Sequence, residues 1–496
     1  MEAPAQAEAT VKVLFTTTES GLELPESKQL LLVPADIRRY GLSRIVNSES
    51  MLDTPTPIPF DFLVNGTFLR STIEDYLREN GLPFEKTLTL QYVRSLVPPV
   101  YQASFEHEDW VSAVDVLSES SRAAAWAGAG YAPGQDRILS ASYDGLLRIW
   151  DGSGQVMATS PLVNRGPLCG LKAARFLGPS KIAAAGLDRT VRIWDYAETA
   201  DRLSGELKLA LELYGHRGTV EAVDVDGAAR RVLTGCADGS VGLWTTSKKL
   251  APEAPAALLP QTYATKRRKA SSAGAATAAQ RGALSLMPVH SRPVSAALLD
   301  PADPTAAYSV SQDHTLKVLD LTSSRVVSTV TASSALMSAC LLPAAAAGSG
   351  STPLVAAGTA SRNVTLIDPR EDGARTTSVM TLRGHVNVVS CLGPSPDNSH
   401  SLVTGSYDGT CRVWDLRSVR PATAKDAEAG LLAGGSVGEP VYVIERESLA
   451  GKKRPVAGDG VKVFGVSWDR TWGIVSGGED KRVQINKGSD IIAATS

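Results

Sequence analysis

The sequence predicts a mainly β protein in two parts: a small α+β domain, then a long array of repeated β units. Three observations lead to this prediction. The chain has 496 residues, more than one ordinary globular core accommodates. A pattern built around an aspartate turn and a Trp-Asp pair recurs along most of its length. The first hundred residues lack that pattern and alternate strand-like with helix-like segments.

Residues 11–97 follow the pattern of a small α+β domain, after a tail at 1–10 that we expect to be disordered. The predicted elements are strands at 11–16 and 30–33, a helix at 36–46, a hairpin at 60–64 and 67–70, a helix from 71 to 81 and a strand at 86–93. Asn65-Gly66 suits the hairpin turn, and Ser71 with Glu74 matches a capping box. The order ββαββαβ is that of a ubiquitin-like β-grasp domain. No Gly-Gly tail follows it, so we expect surface recognition and not conjugation.

Seven copies of the repeat occupy residues 99–496. Each copy has a segment of small residues, a turn, alternating apolar residues and, in the clearest copies, a Trp-Asp pair. The turns are centred on Asp144, Asp188, Asp238, Asp313, Ser361, Asp408 and Asp480. Alternation on both sides of the turn predicts two short antiparallel strands.

Histidines occupy one position in several copies. The pairs are His216 with Asp238, His290 with Asp313 and His385 with Asp408, separated by 22, 23 and 23 residues, and His107 aligns with these histidines ahead of the first copy. No nucleophile recurs beside the pairs, which argues against catalysis. We interpret them as buried His–Asp hydrogen bonds that tie one strand connection to another.

This pattern resembles the WD-repeat family, whose units are four-stranded blades of a β-propeller. Seven copies imply seven blades. A strand-like segment at 100–104 precedes the first copy, and the last copy ends near Lys487 without an outer strand of its own. We therefore expect residues 100–104 to complete blade seven and to remove two exposed sheet edges.

Insertions lengthen four connections. The largest are at 245–282, which we expect to be disordered, at 417–438 and at 448–460, with a smaller one at 119–135. Because antiparallel strands alternate in direction, the insertion at 448–460 should lie on one face and the other three on the opposite face.

The insertion at 245–282 contains the basic cluster Lys266, Arg267, Arg268 and Lys269. The cluster is either a nuclear localisation signal or a phosphate contact, and four basic residues in a solvated loop also arise by chance. These alternatives stay open.

The composition excludes other classes of function. Lys and Arg number 50 against 52 Asp and Glu, a formal net charge of −2, so no overall basic field indicates a nucleic-acid binder. The five cysteines form no Cys-x-x-Cys pair, which argues against a disulfide framework or a zinc site. With no apolar stretch of roughly 18 residues and no signal segment, we expect an intracellular protein without a membrane partner.

Four stretches, at 39–47, 59–63, 69–77 and 108–112, resemble the YTM family of eukaryotic ribosome-biogenesis proteins, and the likeness covers essentially the whole chain. The resemblance implies a non-enzymatic assembly factor of the large (60S) ribosomal subunit in the nucleolus and nucleoplasm. Its propeller would bind that of the block-of-proliferation protein, in a complex with pescadillo. Its ubiquitin-like domain would dock on the metal-ion-dependent adhesion site of midasin, an AAA ATPase that removes the complex from pre-60S particles. The related notchless family has eight blades, so seven copies favour the YTM family.

The resemblance also implies one metal-binding role. In both families a Glu before the last strand of the ubiquitin-like domain completes the coordination of Mg²⁺ in the adhesion site. The matching residue is Glu85, with Pro83 and Phe84 as apolar contacts. Mg²⁺ prefers oxygen ligands in octahedral array, so a partner's carboxylate can fill an open position. From the residues alone, Glu85 is an ordinary solvated carboxylate. We expect no cofactor of the chain's own.

Other classes of function compete with this one to different degrees. The sequence has no phosphate-binding loop, nucleophile elbow or metal-ligand cluster, so we expect no enzyme. The main alternative is a WD-repeat substrate receptor or scaffold in the ubiquitin pathway. Direct contact with rRNA through the basic loops is a further alternative.

Overall fold

The computed structural model describes residues 9–19, 21–54, 56–163, 168–259, 278–343, 353–370, 378–422, 435–451 and 461–488. They form two compact units. The first unit contains the described residues of Met1–Pro98 and Leu416–Gly438, and the second contains those of Pro99–Asp415 and Glu439–Ala494. The repeat pattern predicts a propeller over all of 99–496, but the described residues of Leu416–Gly438 belong to the first unit. No helix in the described ranges has the length and apolar character needed to span a membrane.

The first unit is a five-stranded mixed sheet with short helices. Its elements are β1 Thr10–Thr16, α1 Glu26–Gln29, β2 Leu30–Pro34, α2 Arg39–Val46, β3 Phe60–Val64, β4 Thr67–Phe68, α3 Ile73–Glu79 and β5 Leu88–Arg94. The strand order is β2-β1-β5-β3-β4, and the central pair β1 and β5 is parallel. This is the β-grasp topology that the order of elements predicts.

Aromatic and aliphatic side chains fill the core between the sheet and the helices. The Tyr92 ring packs edge-on against Phe15 and Phe60, with centroids 6.5 and 5.5 Å apart. Leu42 and Leu77, from α2 and α3, are fully or almost fully buried in the same cluster. Burial of such side chains contributes roughly 1.5–3 kcal/mol each, so this core holds both helices to the sheet.

Two helix starts differ from the predicted ones. Helix α2 begins at Arg39 and not at residue 36. The cap of α3 is Thr72, whose hydroxyl oxygen accepts a hydrogen bond of 3.1 Å from the amide of Asp75. The predicted capping box, Ser71 with Glu74, is therefore wrong by one residue. The physical reason is that the extended backbone of Thr72, not that of Ser71, aims its oxygen at the free amides of the first turn.

A strand extension takes part in the first unit. Strand β30 runs over Thr410–Pro421 and β31 over Ser436–Glu445, so the expected loop at 417–438 is wrong at both ends. Within the first unit, the Val419 amide donates to Gly66 O at 2.8 Å. Arg417 forms an ion pair of 3.0 Å with Glu19. The middle of this segment, 423–434, lies outside the described residues.

Seven four-stranded blades occur in the described part of the second unit. Blade one is β7 Val111–Leu117, β8 Arg137–Ser142, β9 Leu147–Trp150 and β10 Val156–Thr159; blade two is β11 Leu171–Gly178, β12 Lys181–Gly186, β13 Val191–Glu198 and β14 Gly205–Tyr214; blade three is β15 Val220–Asp226, β16 Arg231–Cys236, β17 Ser240–Thr245 and β19 Ser285–Pro288; blade four is β20 Val294–Leu299, β21 Ala306–Ser311, β22 Thr315–Asp320 and β23 Arg325–Thr331.

The remaining blades complete the ring. Blade five is β24 Leu336–Leu341, β25 Val355–Thr359, β26 Asn363–Ile367 and β27 Ser378–Arg383; blade six is β28 Val389–Pro394, β29 Ser401–Ser406, β30 and β31; blade seven is β32 Val463–Asp469, β33 Gly473–Gly478, β34 Arg482–Gly488 and β6 Pro99–Glu106. Strand β6 pairs with β34 in the register Val483 to Phe105. The predicted closure of the ring by residues 100–104 is confirmed.

Small residues in the second strands allow neighbouring blades to approach. A Cβ on Gly477 would lie 2.6 Å from a methyl group of Val111 in blade one, and a Cβ on Gly235 would lie 2.7 Å from Val294 in blade four. The same arrangement joins Gly358 to Val389. Side chains at these glycines would push the first strand of the next blade outward, which explains why the repeat begins with small residues.

Three features depart from seven separate four-stranded blades joined by simple loops. Strands β27 and β31 pair, so blades five and six share one eight-stranded sheet. The expected disorder at 245–282 is wrong at both ends. Residues 245–259 are described, with Glu253 bridged to Arg281, and β18, Ala279–Gly282, pairs in parallel with β14. The insertion at 119–135 contains helix α4, Arg122–Ala127. Residues 260–277 and 452–460 lie outside the described residues.

Candidate partner-binding loop and repeat contacts

The loop between α3 and β5 is anchored at both ends. At its start, Gly81 has φ +61°, a left-handed conformation that glycine adopts without steric cost. The amide of Leu82 then donates to Leu77 O at 2.8 Å, and the Leu82 side chain packs on the core. At its end, Leu88 pairs with Val13 in the central strands. The tip of the loop is therefore held by the sheet and by the end of α3.

Pro83, Phe84 and Glu85 form the tip, and all three are exposed. A turn closes it, because the Lys86 amide donates to Pro83 O at 3.2 Å. Phe84 is 40% exposed, so its ring is accessible to a partner. The Glu85 carboxylate makes no hydrogen bond or ion pair with any residue that the structure describes. A carboxylate placed in this way can bind a cation held by another protein.

Glu85 can supply only one ligand to a metal ion. Among the described residues, three His, Cys, Asp or Glu donors lie within reach of one ion only at His216, Cys236 and Asp238, in the second unit. A single accessible carboxylate fits the role of a ligand contributed in trans to a hard cation such as Mg²⁺. The other ligands would have to come from the partner.

The cluster of His216, Cys236 and Asp238 fits the repeat network better than a metal site. Both ring nitrogens of His216 already have partners, Ser240 Oγ at 3.0 Å and Thr234 Oγ1 at 2.7 Å. Burial raises the pKa of the Cys236 thiol to about 11, which disfavours the thiolate that metals bind.

Blades four and six contain the predicted His–Asp contacts. His290 Nδ1 lies 3.0 Å from Asp313 Oδ2, and His385 Nδ1 lies 2.9 Å from Asp408 Oδ2. The other ring nitrogen of each histidine bonds a hydroxyl on the second strand of the blade, at 2.8 Å and 2.7 Å. In blade six, Trp414 Nε1 donates to the same hydroxyl, that of Thr404, at 2.8 Å. In blade six these side chains tie the entering connection and the turn to the second and third strands.

Blade three departs from this arrangement. His216 makes no direct hydrogen bond to Asp238 among the described contacts, although the spacing predicts one. Ser240 Oγ stands between them, accepting a hydrogen bond from His216 Nδ1 and donating one to Asp238 Oδ1. Burial lowers the pKa of His216 to about 4. Burial also raises the pKa of Asp238, but hydrogen bonds from Ser240 outweigh it and hold that pKa at about 2.

Blade one uses its repeat histidine differently. His107 Nε2 bonds Ser140 Oγ at 2.8 Å, and Asp144 pairs with Arg148 at 2.7 Å instead of with the histidine. His107 Nδ1 has no hydrogen-bond partner within the described ranges. Burial first, and then the charge of Arg148, lower the pKa of His107 to about 4.

Arg446 takes the place of histidine in blade seven, and the sequence analysis missed it. The arginine is almost fully buried, and its guanidinium bonds both Asp480 oxygens, at 2.7 and 3.0 Å. Its Nη1 donates to Ser476 Oγ at 2.7 Å. Arg446 precedes Asp480 by 34 residues because an insertion lengthens this connection, so a search at a spacing of 22–23 residues cannot find it.

One rim of the second unit carries an aromatic cluster that the sequence analysis also missed. Its members are Trp110, Tyr143, Tyr407 and Phe464. Phe464 lies between the other rings, with centroid distances of 5.8 Å to Trp110, 6.2 Å to Tyr143 and 5.8 Å to Tyr407. Trp110 is 38% exposed. Two of the members directly precede the turn aspartates of their blades, a signal that only two of seven copies carry.

The four basic residues Lys266, Arg267, Arg268 and Lys269 lie outside the described residues, so their role stays a prediction.

Comparison with known proteins identifies the family. The model of the NLE (NUC135) domain matches residues 11–77, and the model of the WD domain, G-beta repeat, matches residues 100–151, 207–245 and 376–415. The chain is 73% identical over 494 residues to the ribosome biogenesis protein YTM1 of Pyricularia oryzae, with all of both chains covered. The chain belongs to the YTM1 family of ribosome biogenesis proteins. Other YTM1 proteins are also similar: the one from Chaetomium thermophilum is 60% identical over 500 residues, covering 99% of this chain and 98% of the relative. The ytm1 protein of Aspergillus oryzae is 48% identical over 499 residues, covering 99% and 98%.

Proposed function

We propose that the chain is a non-catalytic assembly factor of the large (60S) ribosomal subunit, working on pre-60S particles in the nucleolus and nucleoplasm. Membership of the YTM1 family supports a role in ribosome biogenesis. Its two architectural parts support binding roles: a β-grasp domain with an exposed, anchored loop and a propeller with an exposed aromatic cluster. The propeller serves as the scaffold of a complex with pescadillo and the block-of-proliferation protein.

The β-grasp domain docks on the metal-ion-dependent adhesion site of midasin. The observation that carries this proposal is the Glu85 carboxylate, exposed and unpaired among the described residues, at the tip of a loop whose two ends are fixed. Bound Mg²⁺ supplies the positive charge that attracts this carboxylate. Glu85 contributes one oxygen ligand, and Phe84 and Pro83 contact the surface around it. Anchoring of the loop reduces the entropy lost on binding.

The aromatic cluster supports the contact between the two propellers. Trp and Tyr are enriched among the residues that dominate protein interfaces, because their large rings bury much area with few rotatable bonds. Trp110 is 38% exposed, whereas Tyr143, Tyr407 and Phe464 are half-buried. We place the contact with the block-of-proliferation protein at this cluster.

The proposal is tested by purifying the tagged, full-length chain from cells that lack their own family member. We expect it to sediment with pre-60S particles and to bring down pescadillo and the block-of-proliferation protein. Trp110→Ala should lose the block-of-proliferation protein, whereas Tyr40→Ala, at an aromatic that is 74% exposed in the first unit, should retain it. Recovery of proteasome or ubiquitin-ligase components without pre-ribosomes would overturn the proposal in favour of a ubiquitin-pathway scaffold.

A further inference from the structure

Two kinds of connection lie at the same rim of the second unit. These are the turns between the second and third strands, and the connections from one blade to the next. The Arg217 amide donates to Asp238 Oδ2 at 3.1 Å, and the Ser291 amide donates to Asp313 Oδ2 at 3.1 Å. In each case the connection that enters a blade is bonded to the turn of that blade. Side chains that leave both kinds of connection therefore share one rim.

Four arginines occupy this rim across four consecutive blades. Arg189 and Arg362 lie in the turns of blades two and five, and Arg217 and Arg292 lie in the connections that enter blades three and four. We call these four residues the arginine arc. All four side chains are exposed, and none of the four guanidinium groups makes a hydrogen bond or ion pair with a residue in the described ranges. The first strands of blades two to five contact one another in sequence, so the arc spans four neighbouring blades.

The aspartates of the same rim do not neutralise the arc. Asp188 pairs with the buried Arg192, Asp313 bonds His290, and Asp238 accepts from Ser240 and from a main-chain amide. These carboxylates are engaged in holding their own turns. The four guanidinium groups face solvent, so this sector offers positive charge although the whole chain has a net charge of −2.

Two of the arginines occupy a backbone conformation that glycine adopts more easily. Arg189 has φ +67° and Arg362 has φ +68°, whereas blades one, three and six have Gly145, Gly239 and Gly409 at the same turn position. A residue with a Cβ in this region costs roughly 1–2 kcal/mol. Neither guanidinium group makes a hydrogen bond or ion pair with a described residue that would offset that cost. Replacing these arginines can therefore weaken binding without weakening the fold.

We propose that the arginine arc binds the phosphate backbone of RNA, an inference that rests on the proposed place of the chain on pre-60S particles. The planar guanidinium donates two parallel hydrogen bonds to a phosphate, so it suits a phosphodiester chain better than a single lysine charge does. Arginines on successive blades can follow successive phosphates of one strand. Contacts of this kind position an RNA and carry no sequence preference.

The test is titration of a fluorescein-labelled, 20-nucleotide RNA of mixed sequence with the full-length chain at several salt concentrations. Every sample carries Gln in place of the basic cluster Lys266, Arg267, Arg268 and Lys269. The remaining RNA affinity then does not depend on that cluster. Replacing both Arg217 and Arg292 with Gln should weaken binding roughly 20-fold at 0.1 M salt, because each single-strand phosphate contact contributes about 0.7 to the salt slope. The matched control, Arg230→Gln with Arg325→Gln, changes two exposed arginines at the other end of the strands, one just before β16 and one at the start of β23.

A second variant separates binding from folding. Replacing Arg189 and Arg362 with Gly relieves the two strained turns, so the melting temperature should stay the same or rise while RNA affinity falls. Equal loss in the control pair, or undiminished RNA binding in both arc variants, would overturn the proposal. Stronger competition by polyglutamate than by unlabelled RNA would instead assign the arc to an acidic protein. This assay uses neither midasin nor pre-60S particles. A negative RNA-binding result therefore leaves the proposed function standing, and a failure of the chain to sediment with pre-60S particles does not alter the RNA-binding result.

Discussion

The Ser118 hydroxyl donates a hydrogen bond of 2.6 Å to Asp469 Oδ2, across 351 positions of the sequence. Ser118 follows the first strand of blade one, and Asp469 ends the first strand of blade seven. Ser120 donates to the same oxygen at 2.8 Å, and both Ser118 and Asp469 are buried. These bonds reinforce the closure that β6 and β34 make at the outer edge of blade seven.

Asp469→Ala should destabilise the propeller. The substitution leaves the Ser118 hydroxyl buried without its acceptor and also removes the acceptor of two amides, at Thr471 and Trp472. A buried polar group left without a partner costs roughly 1–3 kcal/mol, so we expect the free energy of unfolding to fall by about 3 kcal/mol. Urea denaturation of the full-length chain measures it. Surface substitutions usually change the free energy of unfolding by less than about 0.5 kcal/mol. A loss no larger than that would contradict a structural role for this closure.

Arg446→Met should be among the most damaging single changes. It leaves Asp480 charged, buried and without its ion-pair partner, and breaking a buried pair in this way costs roughly 3–5 kcal/mol. The matched control is Arg470→Met, which breaks an ion pair of 2.6 Å whose two side chains are 65% and 53% exposed. Exposed pairs contribute about 0–1 kcal/mol. Equal melting temperatures for the two variants would show that Arg446 does not replace the histidine of other blades.

Stability should decrease as the pH falls from about 6.5 towards 4. His107 and His216 have folded-state pKa values lowered from 6.5 to about 4, chiefly by burial. Between these values the unfolded chain binds more protons than the folded chain, so the free energy of unfolding rises with pH. The contribution of the two histidines to that free energy reaches its full value above about pH 6.5. At pH 4 the loss approaches roughly 3 kcal/mol for each histidine.

Urea denaturation at pH 7, 5.5 and 4.5 measures this dependence. His216→Gln should flatten the pH dependence of stability, although it lowers stability at pH 7. His314→Gln, at a histidine whose side chain is exposed, is the control and should leave the slope unchanged. A slope for His216→Gln equal to that of the unmodified chain would contradict the assignment of a neutral, buried imidazole.

The topology of both units follows from local patterns, and this is why the sequence predicts it. Alternating apolar residues and Asn65-Gly66 define the hairpin of the β-grasp sheet, and seven turns define seven blades. Closure through residues 100–104 follows from counting strands. The strand extension at Thr410–Pro421 could not be predicted, because its outer half pairs with distant residues, such as Gly66, and has no repeat pattern of its own.

The site residues show the same division. Spacing predicts contacts where the connection has its ordinary length, as for His385 and Asp408. It fails for Arg446, since an inserted segment changes the distance along the chain while the side chain still reaches Asp480. It also fails for His216, which has the expected spacing from Asp238 but bonds Ser240, while Ser240 in turn bonds Asp238. Exposure of Glu85 is a property of the folded loop, and the sequence alone makes it an ordinary carboxylate.

The proposed attachment of this chain to a metal site on a remodelling ATPase depends on Glu85. The most direct test is calorimetric titration of the full-length chain into the isolated adhesion-site domain of midasin, with Mg²⁺ and with chelator. We expect Mg²⁺-dependent binding that Glu85→Ala abolishes and Glu85→Asp weakens, while Glu79→Ala, at an exposed carboxylate in α3, leaves it intact. Unchanged affinity of the Glu85→Ala variant, or equal affinity in chelator, would contradict the account.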